Sequence, residues 1–239
     1  MNAAIDVGNT LVKVGVFKKD KMIEQHSFTS LQMLKKRIDL SSFEKLIVAS
    51  VNQPYDEIND ALQLPASTYY LTTNTSLPFF NHYASNSLGI DRIALAAGAN
   101  KLFPNQNNLI IDMGTCITYD LVNKDNEYIG GAISPGVNMR FKSLHTFTAR
   151  LPLIPSEPLH EVDIGNTTED SIMSGVTNGV VGELEYFISK FENKFGDINI
   201  ILCGGNANFF ESKIKATIFA IPQLLLEGLN AILKHNASI

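Results

Sequence analysis

The chain has little of several features that would point at once to a class of function. Its five histidines and two cysteines are scattered without the spacing of metal ligands, which argues against a zinc site. Its net charge is −5 and no cluster of Lys and Arg interrupts it, which argues against nucleic acid as a main partner. No apolar run approaches the ~20 residues that a bilayer-spanning helix needs, so we expect no membrane segment.

The cysteines and the N-terminus indicate a compartment. Cys116 and Cys203 each lie in an apolar run, and we predict two buried, reduced thiols rather than a disulfide. The chain opens directly on a strand pattern, without the charged region and apolar stretch of a secretion signal, so we expect a cytoplasmic protein. With 239 residues, 45% of them apolar and 18% charged, it has the composition of one large or two small globular domains.

One local pattern occurs twice. Residues 3–17 read AAIDVGNTLVKVGVF and residues 109–122 read LIIDMGTCITYDLV. In each copy an apolar run leads to an aspartate, a spacer, a glycine and then a threonine, before a second β-branched run; this predicts a strand, a tight turn and a returning strand. A carboxylate and a hydroxyl beside exposed backbone N–H groups can hold phosphates and a cation. The repetition predicts a duplicated fold with a nucleotide cleft between its halves.

The coarse pattern of the chain repeats as well. Each half opens with three strand-like segments joined by short turns, followed by helical and buried-strand patterns. We predict an α/β fold with two mixed sheets, each having three opening antiparallel strands and flanking helices. The predicted domains are residues 1–105 and 106–239, and the pattern leaves open whether the last helix packs back on the first half. The polar segment 74–90 is interpreted as a connection that carries function.

The first turn offers groups for a phosphate. Gly8 lets the backbone approach an anion, Asn9 and Thr10 are neutral donors, and the ammonium of Lys13 can reach a phosphate. Asp6 can hold Mg²⁺ directly or through water. The alternative is an ordinary Asn-Thr hairpin turn with an incidental aspartate. The segment is not a Walker A motif, because it lacks Gly-Lys-Ser/Thr and a following helix.

Three further segments carry possible chemistry. Asp112 follows an apolar run and is expected at a strand end, partly buried, where a carboxylate needs a cation or donors. Asp91 is either the N-cap of the helix predicted over residues 90–103 or a base that takes a proton from an attacking hydroxyl, with Arg92 clamping a substrate carboxylate or carbonyl. The glycine pairs at 130–131 and 204–205 indicate either turns or close backbone approach, and the second is typical of the floor of a nucleotide site.

Taken together, these motifs resemble the superfamily of acetate and sugar kinases, heat-shock chaperones and actin, and within it the type III pantothenate kinases. The similarity runs nearly end to end, through the segments DVGNTLVKVGVF, LGIDR, DMGTCITYDLV, YIGGAISPGVNMRFKSLHTFTARLP, GNTTEDSIMSG, LCGGNA and QLLLEGLNAIL. The resemblance implies two ribonuclease-H-like (actin-like ATPase) domains. It also implies transfer of the γ-phosphate of ATP to the 4′-hydroxyl of pantothenate, the first committed step toward coenzyme A.

The resemblance also implies roles for individual residues. Asp91 corresponds to the general base, Asp112 to the ligand of a monovalent cation (potassium or ammonium), and Asp6 lies near Mg²⁺. The positions implied in ATP binding are Asp6, Val7, Gly8, Asn9, Thr10, Leu11, Val12, Lys13, Thr115, Gly204 and Gly205. The positions implied in pantothenate binding are Tyr83, Gly89, Ile90, Asp91, Arg92 and Thr168.

The family works as a homodimer in which the partner subunit completes each pantothenate site. Two features of this chain affect the correspondence. The stretch from Tyr83 to Gly89 is one residue shorter than is usual in the family and lacks a proline often found there. Thr167 and Thr168 compete for one substrate position, and counting back from Gly175 favours Thr168.

Three other functions compete with this interpretation. One is a kinase for another small acid or sugar on the same fold, with a different acceptor site. Another is a non-catalytic accessory factor for transcription, which the retained Asp6, Asp91, Arg92, Asp112 and Thr115 argue against. The last is a nucleotide-gated interaction protein like the chaperones, for which 239 residues leave no room for a partner-binding domain.

Overall fold

The computed structural model describes residues 1–155 and 157–237. The strands are β1 Asn2–Val7, β2 Val12–Lys18, β3 Lys21–Phe28, β4 Lys45–Ser50, β5 Tyr69–Tyr70, β6 Phe80–Asn81, β7 Asn107–Met113, β8 Cys116–Val122, β9 Glu127–Pro135, β10 Ile198–Cys203 and β11 Ile218–Ala220. The helices are α1 Leu31–Arg37, α2 Tyr55–Leu62, α3 Ile90–Leu102, α4 Val137–Thr146, α5 Thr168–Phe195, α6 Ala207–Glu211 and α7 Leu224–Ala237.

The chain forms two compact units. The first contains residues 1–105, the hairpin end 122–130 and the C-terminal segment from Gln223 onward. The second contains residues 106–121 and 131–222. No helix in the described ranges, 1–155 and 157–237, is long and apolar enough to cross a membrane.

The first unit is built on a sheet in the order β3-β2-β1-β4-β5. β1, β2 and β3 run antiparallel in sequence, and β4 joins β1 in parallel. β1 lies between two neighbours and is buried from Ala3 to Val7, as its continuous apolar run leads one to expect. The pattern STYYLTT at 67–73 predicts a strand, which the structure reduces to the two residues of β5 at the sheet edge. β6, which the polar segment gave no sign of, pairs in parallel with Glu127 and Tyr128 of β9.

The second unit repeats this plan. Its strands follow the order β11-β10-β7-β8-β9, and β10 runs parallel to both β7 and β11. β7 and β8 are joined through only Gly114 and Thr115, which makes them antiparallel neighbours. α5 covers this sheet with a buried row spaced four residues apart, consisting of Ile172, Val176, Val180, Leu184 and Ile188. The predicted α/β class, with two mixed sheets and flanking helices, is confirmed; α6 and β11 are too short for a sequence pattern to reveal.

α7 packs against α3 at very short range. A Cβ atom on Gly228 would lie 1.7 Å from the carbonyl oxygen of Ala94, and one on Gly98 would lie 2.4 Å from that of Leu224. An ion pair between Lys101 of α3 and Glu227 of α7 also joins the two helices, with 2.7 Å between the Nζ and Oε2 atoms. The two glycines therefore allow the helix backbones to touch.

We expect Gly228→Ala to destabilise the protein, because the added methyl group can be accommodated only by moving one helix away from the other. The loss in the free energy of unfolding should be about 1–3 kcal/mol, as is typical of overpacking. Gly179→Ala is the control, because nothing lies within 4 Å of a Cβ at that position of α5 and alanine favours a helix. Chemical denaturation of both variants measures the difference. Equal stability of the two variants would contradict the close packing.

Candidate functional site

The first repeated turn connects β1 to β2. The N–H of Gly8 donates to the carbonyl of Leu11 at 3.1 Å, which closes the turn. Asn9 and Thr10 are exposed at its tip, whereas Asp6 at the end of β1 is only 7% exposed. Asp6 pairs across the strands with Lys13, which is half-buried. The turn thus presents donors to solvent above a buried carboxylate.

The carboxylate of Asp6 is in an unfavourable setting for a charge. Burial raises its pKa to about 6; the positive charge of Lys13 opposes this shift and the negative charge of Asp91 adds to it. Within residues 1–155 and 157–237 no donor forms a hydrogen bond to the Asp6 side chain. A buried carboxylate without donors suits a cation, and Mg²⁺ commonly takes one or two carboxylates and keeps several waters.

The described side chains do not by themselves form a complete metal site. Among the described residues, no three His, Cys, Asp or Glu side chains come together as metal ligands. The donor set therefore fits a hydrated Mg²⁺ carried with a nucleotide rather than an ion enclosed by the protein alone.

The second turn connects β7 to β8. Here the N–H of Gly114 donates to the carbonyl of Cys116 at 3.1 Å, so the turn is one residue shorter than the first and has no counterpart of Asn9. Thr115 is exposed at its tip, and Asp112 before it is half-buried, as its position after an apolar run predicts.

The glycine pair after β10 lies against this second turn. Cys203 pairs with Asp112 across β10 and β7. Gly204 has a φ of +92°, and a Cβ there would lie 2.5 Å from the Oδ1 atom of Asp112. Any side chain at this position would be strained and would collide with the carboxylate. The structure thus brings together two of the predicted sites, Asp112 and Gly204, while Gly205 next to them is exposed.

Asp91 lies in the first turn of α3. The N-cap of the helix is Gly89, so the N-cap interpretation of Asp91 is wrong: it is the second helical residue. Its Oδ1 atom accepts from the N–H of Arg92 at 2.9 Å, and the side chain is half-buried. Its charge acts on Asp6, which places the two carboxylates near each other within the first unit.

Arg92 is a buried cation held beside an aromatic ring. The residue is 5% exposed, and its Cζ atom lies 5.7 Å from the centre of the Tyr83 ring. Tyr83 in turn packs near Tyr128, with 6.2 Å between ring centres. The shorter loop before Gly89 therefore still brings Tyr83 to Arg92, and such a stacked guanidinium is well oriented to bind a carboxylate or carbonyl group.

The last predicted substrate residue lies in the second unit at the start of α5. The hydroxyl of Thr167 caps the helix by accepting from the N–H of Asp170 at 3.1 Å, whereas Thr168 is the first helical residue. A cavity of about 970 Å³ adjoins both. Its lining consists of Arg140, Ser143, Leu144, Leu151, Gly165, Asn166, Thr167, Thr168, Ser171, Ile172, Gly175 and Val176.

The sequence match decides the family. The model of the type III pantothenate kinase family matches residues 3–190 of the chain. The chain belongs to this family. A type III pantothenate kinase of Christiangramia forsetii is 44% identical to it over 241 residues, covering 99% of each chain. The family resemblance predicted from the motifs is therefore confirmed.

Two solved structures agree with the fold. One, from Campylobacter jejuni and assigned to the Baf family of transcriptional activators, has a TM-score of 0.64 at 20% identity and covers 99% of this chain and 100% of its own. The other, from Listeria monocytogenes and assigned as an N-acetylmannosamine kinase, has a TM-score of 0.55 at 13% identity and covers 99% of each chain. At such identities they bear on the fold alone, which is that of the actin-like ATPases.

Sequence reasoning missed one functional candidate of this family member. Arg140 lines the cavity beside Thr168 and binds Glu183, which lies 43 residues further along the chain. Arg140 lies within the segment YIGGAISPGVNMRFKSLHTFTARLP, where nothing in the sequence singles it out, and Glu183 lies outside the quoted motifs. The packing of α4 against α5 joins them.

Proposed function

We propose that the chain transfers the γ-phosphate of ATP to the 4′-hydroxyl of pantothenate, the first step of coenzyme A biosynthesis. The observation that carries the proposal is 44% identity over 99% of the chain to a type III pantothenate kinase. The positions of Asp6, Asp91 and Arg92 within the first unit support it, because a base and an acceptor clamp then lie beside a phosphate-binding turn.

ATP is assigned to the two repeated turns. The phosphate contacts are backbone N–H groups of residues 7–12 other than that of Gly8, which donates to Leu11, together with the hydroxyls of Thr10 and Thr115 and the ammonium of Lys13. Val7 and Val12 are buried, so they contact ATP through the backbone. Gly204 and Gly205 are assigned to the nucleotide as well, and a Cβ at Gly205 would meet nothing within 4 Å. Phosphoryl transfer depends mainly on positioning and on neutralising charge, which these groups supply.

Pantothenate is assigned to the start of α3. Asp91 accepts the proton of the attacking 4′-hydroxyl and orients its oxygen, as a base in the first turn of a helix can do. Arg92, held by Tyr83, binds the polar end or amide carbonyl of the acceptor, and Gly89 and Ile90 contact it through the backbone. Asp6 would hold Mg²⁺, directly or through water, and the ion would neutralise charge on the phosphate oxygens.

A monovalent cation, potassium or ammonium, is assigned to Asp112. We expect replacement of potassium by sodium to raise the KM for ATP, because the larger ion suits a site of carboxylate and carbonyl oxygens. The dependence should disappear in Asp112→Asn and persist in Asp125→Asn, an aspartate in the exposed turn between β8 and β9. Steady-state kinetics in each salt measures both effects. Equal rates and equal KM values for ATP in the two salts would remove the cation role from Asp112.

A homodimer is proposed, with Thr168 of one subunit completing the acceptor site of the other. Large apolar side chains are exposed in the second unit, including Ile164 at 88%, Phe147 at 85% and Ile133 at 60%. Ile164 directly precedes the cavity residue Gly165. Exposed apolar side chains of this size favour burial against another surface, and a second copy is the partner that the family implies. We assign the reaction to the cytoplasm on the same family basis.

The test is turnover of the purified protein with ATP, Mg²⁺, potassium and pantothenate. We expect ADP release matched by a product one phosphate heavier than pantothenate. Binding of ATP without turnover of pantothenate would indicate another acceptor. Neither turnover nor nucleotide binding would overturn the proposal and favour a non-catalytic role.

A further inference from the structure

We propose that Arg140 binds the carboxylate of the acceptor and thereby selects an acidic substrate over its neutral analogues. This inference rests on the proposed function, which places the acceptor against Thr168. It gives a role to a residue of the segment YIGGAISPGVNMRFKSLHTFTARLP to which the resemblance assigns none.

The cavity beside Thr168 has one source of charge. Among the described residues that line it, Arg140 is the only cation and there is no Asp or Glu. The remaining polar groups, such as Ser143, Asn166 and Ser171, are neutral. An anionic end of a ligand that enters this cavity therefore has a single charged partner.

The Nε and Nη2 atoms of Arg140 donate hydrogen bonds within the protein, whereas its Nη1 atom remains for a ligand. Its Nε atom donates to the carbonyl of Pro135 at 2.8 Å, and its Nη2 atom donates to Glu183 at 2.5 Å and to Ser134 at 3.3 Å. Nothing in the described part of the chain accepts from Nη1, which leaves two N–H groups of the planar fork for a ligand. A guanidinium fixed in this way loses little entropy when it binds a carboxylate.

Glu183 holds the guanidinium of Arg140 through Nη2 and does not occupy the Nη1 group that is left for the ligand. Burial alone raises the pKa of its carboxyl group, but hydrogen bonds from Ser134, Arg140 and Tyr119 outweigh this effect and place the pKa below its usual value. The Oε1 atom accepts from Tyr119 at 2.8 Å and also from Ser134, while Oε2 accepts from Arg140. Glu183 therefore stays ionised with its oxygens occupied, and it acts as a positioning residue for Arg140.

The acceptor has the matching chemistry. Pantothenate carries a carboxylate at one end and the reacting hydroxyl at the other, whereas pantothenol has an alcohol in place of the carboxylate. If Arg140 binds the carboxylate and Arg92 binds the amide carbonyl, the wild-type protein prefers pantothenate, and Arg140 is the side chain on which the preference depends.

The experiment compares kcat/KM for pantothenate and pantothenol in wild type, Arg140→Gln and the control Lys142→Gln. Lys142 is exposed on the same helix and lies outside the cavity, so its variant removes the same charge nearby. We expect Arg140→Gln to lower the preference for pantothenate about ten- to a hundredfold through a higher KM, as loss of a charged hydrogen bond does, and to leave pantothenol unchanged. Lys142→Gln should keep the wild-type preference.

Two further variants separate recognition from folding. Arg140→Gln leaves the Glu183 carboxylate unpaired, so the double variant Arg140→Gln with Glu183→Gln removes both charges and should fold while still lacking the preference. Glu183→Gln alone should weaken the preference partly, since the guanidinium is then held less well. A preference unchanged in Arg140→Gln, or equal losses for both acceptors, would overturn the proposal.

Failure of the proposed function has a separate signature. If the wild-type protein phosphorylates neither acceptor, titration calorimetry of pantothenate and pantothenol against wild type and Arg140→Gln decides the matter. Binding that favours pantothenate and loses this preference in the variant supports the carboxylate site. Equal binding of both compounds, or binding of neither, overturns it.

Discussion

Replacing Asp91 with asparagine is expected to lower kcat by about 10²–10⁴-fold, the usual contribution of a general base. The amide keeps the size of the side chain but cannot accept the proton of the attacking hydroxyl. The KM for ATP should change little, because Asp91 is assigned to the acceptor and not to the phosphates. Steady-state kinetics with pantothenate as the varied substrate measures the effect, and circular dichroism establishes that the fold is retained.

A matched control separates the base from a helix effect. Asp56 lies in the first turn of α2, as Asp91 lies in the first turn of α3, and both carboxylates interact favourably with the helix dipole. Asp56→Asn should therefore cost a similar small amount of stability and leave kcat unchanged. If kcat of Asp91→Asn stays within a few-fold of wild type, Asp91 is not the base.

The sequence predicted regular elements well wherever local signals were strong. The pattern from Thr168 to Phe195 predicts a long helix, and α5 has these bounds, with Thr167 as its N-cap and Gly196 as its C-cap. The duplicated turns were visible because the same residue order occurs twice. β5 and β6 are only two residues long, and their pairing depends on neighbouring strands rather than on their own pattern.

The sequence proposes residues for the candidate site, but it does not give their backbone positions or their electrostatic surroundings. Asp91 was read as either a base or an N-cap, and only the backbone geometry excludes the cap, since Gly89 takes that position. The pKa of Asp6 depends on burial and on Asp91, which lies 85 positions along the chain. Likewise, Arg140 and Glu183 meet through helix packing, for which a single sequence carries no signal.

The raised pKa of Asp6 leads to the second large expected effect. At neutral pH the carboxylate is ionised in a buried setting, so replacing it with the neutral isostere should stabilise the free protein. The shift from 3.8 to about 6 corresponds to at most about 3 kcal/mol in the free energy of unfolding. Asp6→Asn should therefore raise stability above pH 7 in EDTA. At the same time it should sharply lower kcat/KM for ATP with Mg²⁺, because we propose that the carboxylate serves the nucleotide and its metal.

The pH dependence tests the cause of this gain. Because the folded-state pKa is raised, the folded protein binds the proton more readily than the unfolded chain does, and wild type loses stability as pH rises from about 4 to about 6. The stability difference between Asp6→Asn and wild type should thus be small near pH 4, increase as the pH rises through this window and stay constant above pH 7. Denaturant titrations at several pH values measure it, with the exposed Asp60→Asn as a control that should show no such window.

The same measurement tests whether Asp6 and Asp91 share a site. The charge of Asp91 raises the pKa of Asp6, so the variant Asp91→Asn should move the midpoint of the window to lower pH. A stability difference that does not vary with pH would contradict the raised pKa of Asp6. If Asp91→Asn leaves the midpoint of the pH window unchanged, the charge of Asp91 does not act on Asp6, and the two carboxylates do not share a site. Full activity of Asp6→Asn would remove Asp6 from the nucleotide site, whatever the stability of the variant. The cost of burying this carboxylate would then have no functional reason.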